Sequence, residues 1–406
     1  MNTDNSSLIR TTSAPRATQV FIALLQKIRH GALHLTLPDG TQQHFGDAHT
    51  GVQARLHLHD DRVCEALLAR GDIGFGETYM EGWWSSPDIA ALIQIAVQNR
   101  AEFSSLLGGN ALRVGWYRIK HLLRRNTRAG SRKNILAHYD LGNAFYAHWL
   151  DGSMTYSAAL FAGDYTQTLQ QAQSQKYSRI ANQLGLHSGA QVLEIGCGWG
   201  GFAEAAIGRY GATVDGVTLS PSQLNFAQAR LKKLHLHERA NLTLTDYRDV
   251  RGHYDFIVSI EMFEAVGEAY WPTYFAALKR LLKPEGKAMV QTITIADAQF
   301  ASYRKGTDFI QQYIFPGGML PSLEKFTELA NAAGLRVVDA HPFGADYAHT
   351  LRHWRAEFAA RWHDIAPLGF DEKFRRLWHF YLAYCEGGFD AGATNVYQIQ
   401  LEHIEN

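Results

Sequence analysis

Apolar positions in this chain recur first at helical spacing, from Thr18 to His30, and then alternate with polar ones. Ala32 to Leu37 and Gln42 to Phe45 flank Pro38-Asp39-Gly40, which predicts a β-hairpin, and Val52 to His59 predicts a further strand. The stretch 71–84, GDIGFGETYMEGWW, follows neither period. Its glycines and large aromatics predict a loop clamped against a hydrophobic surface, as a core anchor or facing lipid. Residues 85–107 return to helical spacing. A small α+β domain over 18–110 is expected, preceded by a polar, Ser- and Thr-rich stretch, 1–17, with the composition of a disordered tail.

Beyond Ala190 the pattern changes. Strand 191–195, a helix from near Phe202, strand 212–219, helix 222–236 and strands 241–245 and 254–260 follow in order. Helix 270–282 ends at Pro284-Glu285-Gly286, which turns the chain into strand 287–295. This alternation predicts an α/β fold with a doubly wound parallel sheet, whose ligands bind outside the carboxyl ends of the strands. Helices near 322–333, 347–363 and 371–385 and a last strand at 395–401 complete a domain over 134–406.

A length of 406 residues suits two domains, and 46% hydrophobic residues suffice for sizeable cores. No apolar run approaches the roughly 20 residues of a membrane span. Lys+Arg and Asp+Glu balance at 39 each, so net charge names no partner. Cys64, Cys197 and Cys385 are widely spaced, which fits neither a disulfide framework nor a zinc site and suits a reducing, cytoplasmic location. No metal is expected. The charge is uneven, however. Between Glu102 and Asp140 there is no acid, but Arg113, Arg118, Lys120, Arg124, Arg125, Arg128, Arg132 and Lys133 alternate with apolar residues such as Trp116 and Leu122. Segment 111–133 therefore predicts a basic amphipathic helix and loop, either resting on an anionic lipid surface or serving as a solvated linker. It offers no base-reading or stacking residues, so no nucleic acid is expected.

The candidate chemistry centres on 190–201, AQVLEIGCGWGG. A strand, a glycine turn (Gly196, Gly198, Gly200, Gly201) and a helix N-terminus let a ligand approach bare backbone N–H groups. The spacing also fits a dinucleotide site. Glu194, at the carboxyl end of the strand, would repel a pyrophosphate and attract a sulfonium amino acid. The next strand ends in Thr218-Leu219-Ser220 rather than in the acid that meets an NAD ribose, and Asp215 is in mid-strand. S-adenosylmethionine is therefore favoured over NAD. Gln223, Asp246 and Tyr247 fall on the same crevice, Tyr247 placed to flank an adenine and Asp246 to accept from its amino group. Glu264 follows a buried strand among Met262, Phe263, Ala265 and Val266, a setting that suits a carboxylate that binds or moves a proton.

The chain resembles the cyclopropane-fatty-acyl-phospholipid synthases and their mycolic-acid relatives. The matching runs, in family order, are HYDLGN (138–143), MTYSAALF (154–161), VLEIGCGWGG (192–201), VTLSPSQ (217–223), DYRD (246–249), MFEAVG (262–267), YIFPGG (313–318) and FGADY (343–347). The resemblance implies a class I S-adenosylmethionine-dependent methyltransferase fold, with a mostly parallel seven-stranded sheet and a lipid-binding N-terminal domain. It implies a phospholipid membrane surface as partner, a peripheral place on the inner face of the membrane, and a homodimer as a candidate assembly. It assigns Tyr156, Ser157, Gly196, Gly198, Thr218, Gln223, Asp246 and Tyr247 to the cofactor, with Glu194, Gly200 and Leu219 beside them. The family uses a bound bicarbonate as general base, held by a Cys, a Glu, a His, an Ile backbone and a Tyr. Glu264, Ile293 and Tyr347 match the Glu, Ile and Tyr, whereas Ala158 stands at the Cys position, Gln291 at the His position, and Ala265 where a His often follows the Glu.

In the implied chemistry the π bond of a cis alkene attacks the sulfonium methyl and leaves a carbocation. Phe263, Tyr313, Phe315 and Tyr347 are candidate aromatic faces for it. Proton removal from the new methyl group closes a cyclopropane ring, and removal from a chain carbon leaves a methylated or methylene alkene. Cyclopropanation of a phospholipid acyl chain is the expected activity, with the non-ring product or another apolar methyl acceptor as alternatives. Ala158 and Gln291 raise the further alternative of a non-catalytic lipid- or cofactor-binding protein.

Overall fold

The computed structural model describes residues 14–107 and 141–404, and of 104–107 the backbone alone. Residues 1–13, the basic segment 111–133 and His138 to Asp140 lie outside the described residues. The chain divides into two units, Met1–Arg113 and Val114–Asn406.

In the first unit the helix Arg16–Leu25 starts earlier than its apolar pattern predicts, directly after Pro15, whose missing N–H costs nothing at a helix start. Strands β1 (Ala32–Thr36) and β2 (Gln42–Gly46) form the expected hairpin, and β3 (Gln53–Leu58) lies parallel to β1. The short β4 (Trp84–Ser85) closes the order β2-β1-β3-β4. The loop expected at 71–84 is instead mostly helix. Arg62–Met80 is helical throughout except at Gly71, whose φ of 59° and ψ of −138° break the ladder. A Cβ on Gly74 would stand 2.2 Å from the Ala66 carbonyl oxygen, so glycine permits the close approach after the break. Phe75 stacks on fully buried Trp84 at 4.0 Å, and the Trp84 indole N–H donates to the Phe75 carbonyl at 3.0 Å. Trp84 is thus a core anchor.

The second unit carries a seven-stranded sheet, with β5 (Gln191–Ile195), β6 (Thr213–Thr218), β7 (Ala240–Leu244), β8 (Tyr254–Ile260), β9 (Leu282–Ile295), β10 (Leu335–Pro342) and β11 (Thr394–His403) in the order β10-β11-β9-β8-β5-β6-β7. Only β11 runs antiparallel to its neighbours. Strand direction of propagation reverses between β5 and β8, so the crevice opens at their carboxyl ends. Alternate residues feed two cores. Val192, Val214, Val258 and Met289 pack toward the helices Leu169–Leu184 and Gly201–Tyr210. Leu193, Ile195, Ile257 and Val290 pack toward Trp271–Leu281 and Leu323–Ala332. Pro284 to Gly286 do not end one element and start another. They belong to β9, and the register jumps there, Tyr254 facing Leu282 and Phe256 facing Lys287.

Candidate active site

The glycine turn has the geometry its sequence implies. Gly196 and Gly198 hold φ of +87° and +50°, and a Cβ at Gly196 would come within 2.9 Å of the Met262 side chain. The crevice above the turn is lined by Glu194, Gly196, Gly198, Thr218, Leu219 and Gln223, by Asp246 and Tyr247, and by Tyr156 and Ser157 from the MTYSAALF run. Gly200 lies between the lining residues Trp199 and Gly201; its φ of +82° starts the helix Gly201–Tyr210, and a Cβ there would meet Ala227 at 3.0 Å, so glycine there permits close helix packing. Buried Glu194 has one carboxylate oxygen, Oε2, without a hydrogen-bond partner, and burial pushes its pKa well above the usual carboxylate value. A cation placed beside it would relieve both conditions. Asp246 holds Arg248 through two bonds, at 2.8 and 2.5 Å, so its carboxylate is engaged with its own turn. Asp215, the alternative ribose acid, accepts from the Tyr254 hydroxyl at 2.8 Å.

The MTYSAALF strap is pinned residue by residue. Thr155 meets the Tyr177 hydroxyl at 2.9 Å, and the Ser157 hydroxyl accepts from Lys176 Nζ at 2.6 Å. Lys176 is fully buried, and burial pulls its pKa down to about 7. Further on, Asp346 Oδ2 accepts from the backbone N–H groups of Phe161 and Ala162 at 2.7 and 2.9 Å. The Tyr156 hydroxyl lies 2.6 Å from that of Tyr381, and the Tyr156 and Trp354 rings are 5.3 Å apart.

The expected base pocket is organised around a crevice residue to which the sequence gives no role of its own. Glu261 directly follows β8 with φ of +48°, a region that favours glycine. Its Oε1 accepts from the Ala158 N–H and from Gln291 Nε2, both at 2.8 Å, and its Oε2 accepts from the Tyr347 hydroxyl at 2.6 Å. The Gln291 amide is oriented in turn, its oxygen accepting from Gln398 Nε2 at 3.0 Å on the facing strand β11. Glu264 is held separately. Its Oε1 accepts from the Ile293 N–H at 2.5 Å and the Thr292 hydroxyl at 3.0 Å, while Oε2 is buried and unpartnered. Burial, with the neighbouring Glu261 charge, pushes the Glu264 pKa up to about 8. Burial also raises that of Glu261, against the charge of Lys176 and the three donors. Glu264, Ile293, Gln291 and Tyr347 therefore gather at one end of β8 and β9, but not around one shared anion. Gln291, Tyr347 and the Ala158 N–H are taken by Glu261, and Ile293 by Glu264. The residues present do not fit a bound bicarbonate.

Phe263 is a further correction. It is fully buried in the core between Trp271, Tyr274, Phe275 and Phe326, so it offers no face to a substrate. Tyr313 packs on Phe309 at 5.1 Å, and Phe315 stands 6.1 Å from Tyr381. Tyr381 and Trp354, not foreseen, join Phe315 and Tyr156 to Tyr347, whose ring is 6.1 Å from Trp354. Lys176 was legible in principle, as a cation on the buried stripe Ala172, Lys176, Ile180 of Leu169–Leu184.

The family model for mycolic acid cyclopropane synthetase matches residues 126–399. The tuberculostearic acid methyltransferase UfaA1 of Mycobacterium tuberculosis is 40% identical over 385 residues, 92% of this chain and 88% of that one. The cyclopropane-fatty-acyl-phospholipid synthase of Escherichia coli K12 is 35% identical over 365 residues, 87% of this chain and 89% of that one. Among solved structures, the cyclopropane synthase MmaA2 from Mycobacterium tuberculosis superposes with a TM-score of 0.63 at 30% identity, covering 66% of this chain and 97% of that one. The mycolic acid cyclopropane synthase CmaA1 complexed with SAH and CTAB gives 0.62 at 33% identity, covering 66% and 97%. A glycine turn beside an unpartnered Glu194, on a sheet of this topology, agrees with those matches: the chain belongs to the mycolic acid cyclopropane synthetase family of S-adenosylmethionine-dependent C-methyltransferases.

Proposed function

We propose that the protein transfers a methyl group from S-adenosylmethionine to the cis double bond of an unsaturated phospholipid acyl chain and closes a cyclopropane ring. The observation that carries this reading is two carboxylates in one crevice with opposite needs. Glu194 has a buried oxygen that lacks a partner and suits a cationic ligand, while the Glu261 carboxylate is held by three donors and suits a proton acceptor. The bound cofactor supplies an electrophilic methyl carbon. Among the residues that line the crevice, Glu194 and the glycine turn would hold its amino-acid end, Thr218 and Gln223 its ribose, and Tyr247 would flank its base. Tyr156, which lines the crevice, would offer a π face to a developing cation, with Tyr347, Tyr381 and Phe315 in the same aromatic cluster.

Among the described residues no helix is long and apolar enough to cross a membrane. Access to a phospholipid chain then requires peripheral binding, for which the N-terminal unit and the basic segment 111–133 are the proposed means. A second reading, a methyl-branched alkene left by proton loss from a chain carbon, is favoured by Glu261 itself. A carboxylate tethered to the end of β8 cannot shift toward the new methyl group as a free anion can. The test is incubation with S-adenosylmethionine and phospholipid vesicles carrying cis-unsaturated chains, then mass spectrometry and proton NMR of the released fatty acids. A gain of one CH₂ with high-field ring protons supports cyclopropanation, and the same gain with vinyl protons establishes the second reading. No gain on any lipid overturns the lipid assignment.

A further inference from the structure

We propose that Glu261 is the general base of the reaction, a carboxylate built into the chain at the place where a bound bicarbonate would otherwise be held. The inference rests on the methyl-transfer reading and deepens it. Three independent segments converge on this one side chain: the strap through the Ala158 N–H, β9 through Gln291, and the helix Gly344–Ala360 through the Tyr347 hydroxyl. Two of these donors stand at positions where the sequence lacks a Cys and a His, so the loss of those side chains coincides with the gain of a carboxylate.

The arrangement is specific in three further respects. Glu261 adopts a left-handed backbone conformation, and its N–H donates to the Gln291 carbonyl at 2.8 Å, so strain normally avoided by a residue with a Cβ is sustained here. The Gln291 amide cannot turn round, because Gln398 donates to its oxygen and Arg179 donates to Gln398 at 2.7 Å. It must present its NH₂ to Glu261. Finally, the environments of the two adjacent carboxyl groups differ, which separates their protonation states. Glu264, with one unpartnered oxygen, is driven toward the neutral acid; burial raises Glu261 as well, but there three donors and the charge of Lys176 oppose it.

In the step, an oxygen of Glu261 takes a proton from the methylated, cationic acyl chain. The released C–H pair fills the empty carbon orbital, as the third ring bond or as a new double bond. The carboxylate becomes a carboxylic acid, the acyl chain becomes neutral, and the proton then passes to water.

The test uses the full-length enzyme with S-adenosylmethionine and cis-unsaturated phospholipid vesicles, in buffer freed of carbon dioxide and in buffer with added bicarbonate. Wild-type turnover is expected to be equal in both. Glu261→Gln, nearly isosteric but unable to take the proton, is expected to lose about 100-fold or more in kcat, with S-adenosylhomocysteine affinity within about threefold by calorimetry. Glu261→Gly suits the backbone conformation and frees the donors, so it should regain activity with added bicarbonate or formate, which a merely structural role would not produce. A titration with ¹³C-bicarbonate followed by NMR needs no turnover: wild type should bind none and Glu261→Gly should bind it. Wild-type activity that collapses without bicarbonate, wild-type bicarbonate binding, or an active Glu261→Gln enzyme would each overturn the proposal. An enzyme that excludes bicarbonate yet methylates no lipid refutes the lipid reading instead, and leaves the pocket assignment standing on the binding result.

Discussion

At Gly196 a single added carbon meets two obstacles, the left-handed φ of +87° and the Met262 side chain at 2.9 Å. The backbone penalty alone is about 1–2 kcal/mol. Gly196→Ala is therefore expected to raise the KM for S-adenosylmethionine about tenfold or more, since the turn that must approach the ligand is displaced, while the melting temperature falls by only about 2–8 °C. Glu264 supports a different kind of measurement. Its pKa is raised in the folded protein to about 8, above the ordinary carboxylate value it has when unfolded, so its contribution is fully present below that ordinary value. Stability should fall as pH rises from about 5 to 8, and Glu264→Gln, which keeps the neutral form, should flatten that fall in denaturation curves across pH. An unchanged slope would remove Glu264 as its cause. Such local features differ in how far sequence reveals them. Glu194 and the glycine turn were legible because strand, turn and helix are contiguous. Glu261 was not, because its partners Ala158, Gln291 and Tyr347 are far away in the chain, and the sole local signal was an acid beside the end of an apolar strand. Phe263 failed for the opposite reason: its neighbours in sequence line the crevice, but the single turn Phe263–Ala265 points it into the core.

Elements with one dominant period were legible, and those with mixed character were not. Strands β5 and β8 and the helix Trp271–Leu281 follow their apolar patterns closely. Strand β10, with half its residues partly exposed, and Leu169–Leu184, whose buried stripe includes Gln173 and Lys176, gave no clean signal. Glycine density misled at Arg62–Met80, where one glycine breaks the helix and another lets it pack. The strap at 154–162 shows what holds an element that has no ladder of its own. Two of its N–H groups end on one buried carboxylate oxygen of Asp346, on the helix that also carries Tyr347. Asp346→Ala leaves both donors unsatisfied, at about 1–3 kcal/mol each. The expected result is a loss of about 2–6 kcal/mol in urea unfolding, with proteolytic cleavage appearing first in the strap. Asp346→Asn, which can still accept, should lose less.

At the scale of the whole molecule, a crevice proposed to act on a phospholipid acyl chain must be brought to lipid by something outside it. The chain has no excess charge overall, yet segment 111–133 concentrates cations with no acid among them. Balanced global charge with a local basic run is the pattern expected of a protein that docks on an anionic surface by one edge, since a uniformly basic protein would bind anions everywhere. Arg124, Arg125 and Arg128 lie outside the described residues, so the argument is electrostatic only. Each cation near an anionic leaflet contributes about 1 kcal/mol, so replacing all three by Gln should weaken binding to phosphatidylglycerol vesicles by on the order of 100-fold at low salt. The difference from wild type should shrink as ionic strength rises and the Debye length falls toward about 8 Å. Co-sedimentation across a salt series measures both. Binding to neutral phosphatidylcholine vesicles should change little, because no charge is lost there. If the triple variant partitions onto anionic vesicles as wild type does, the segment is a linker and the electrostatic docking argument fails.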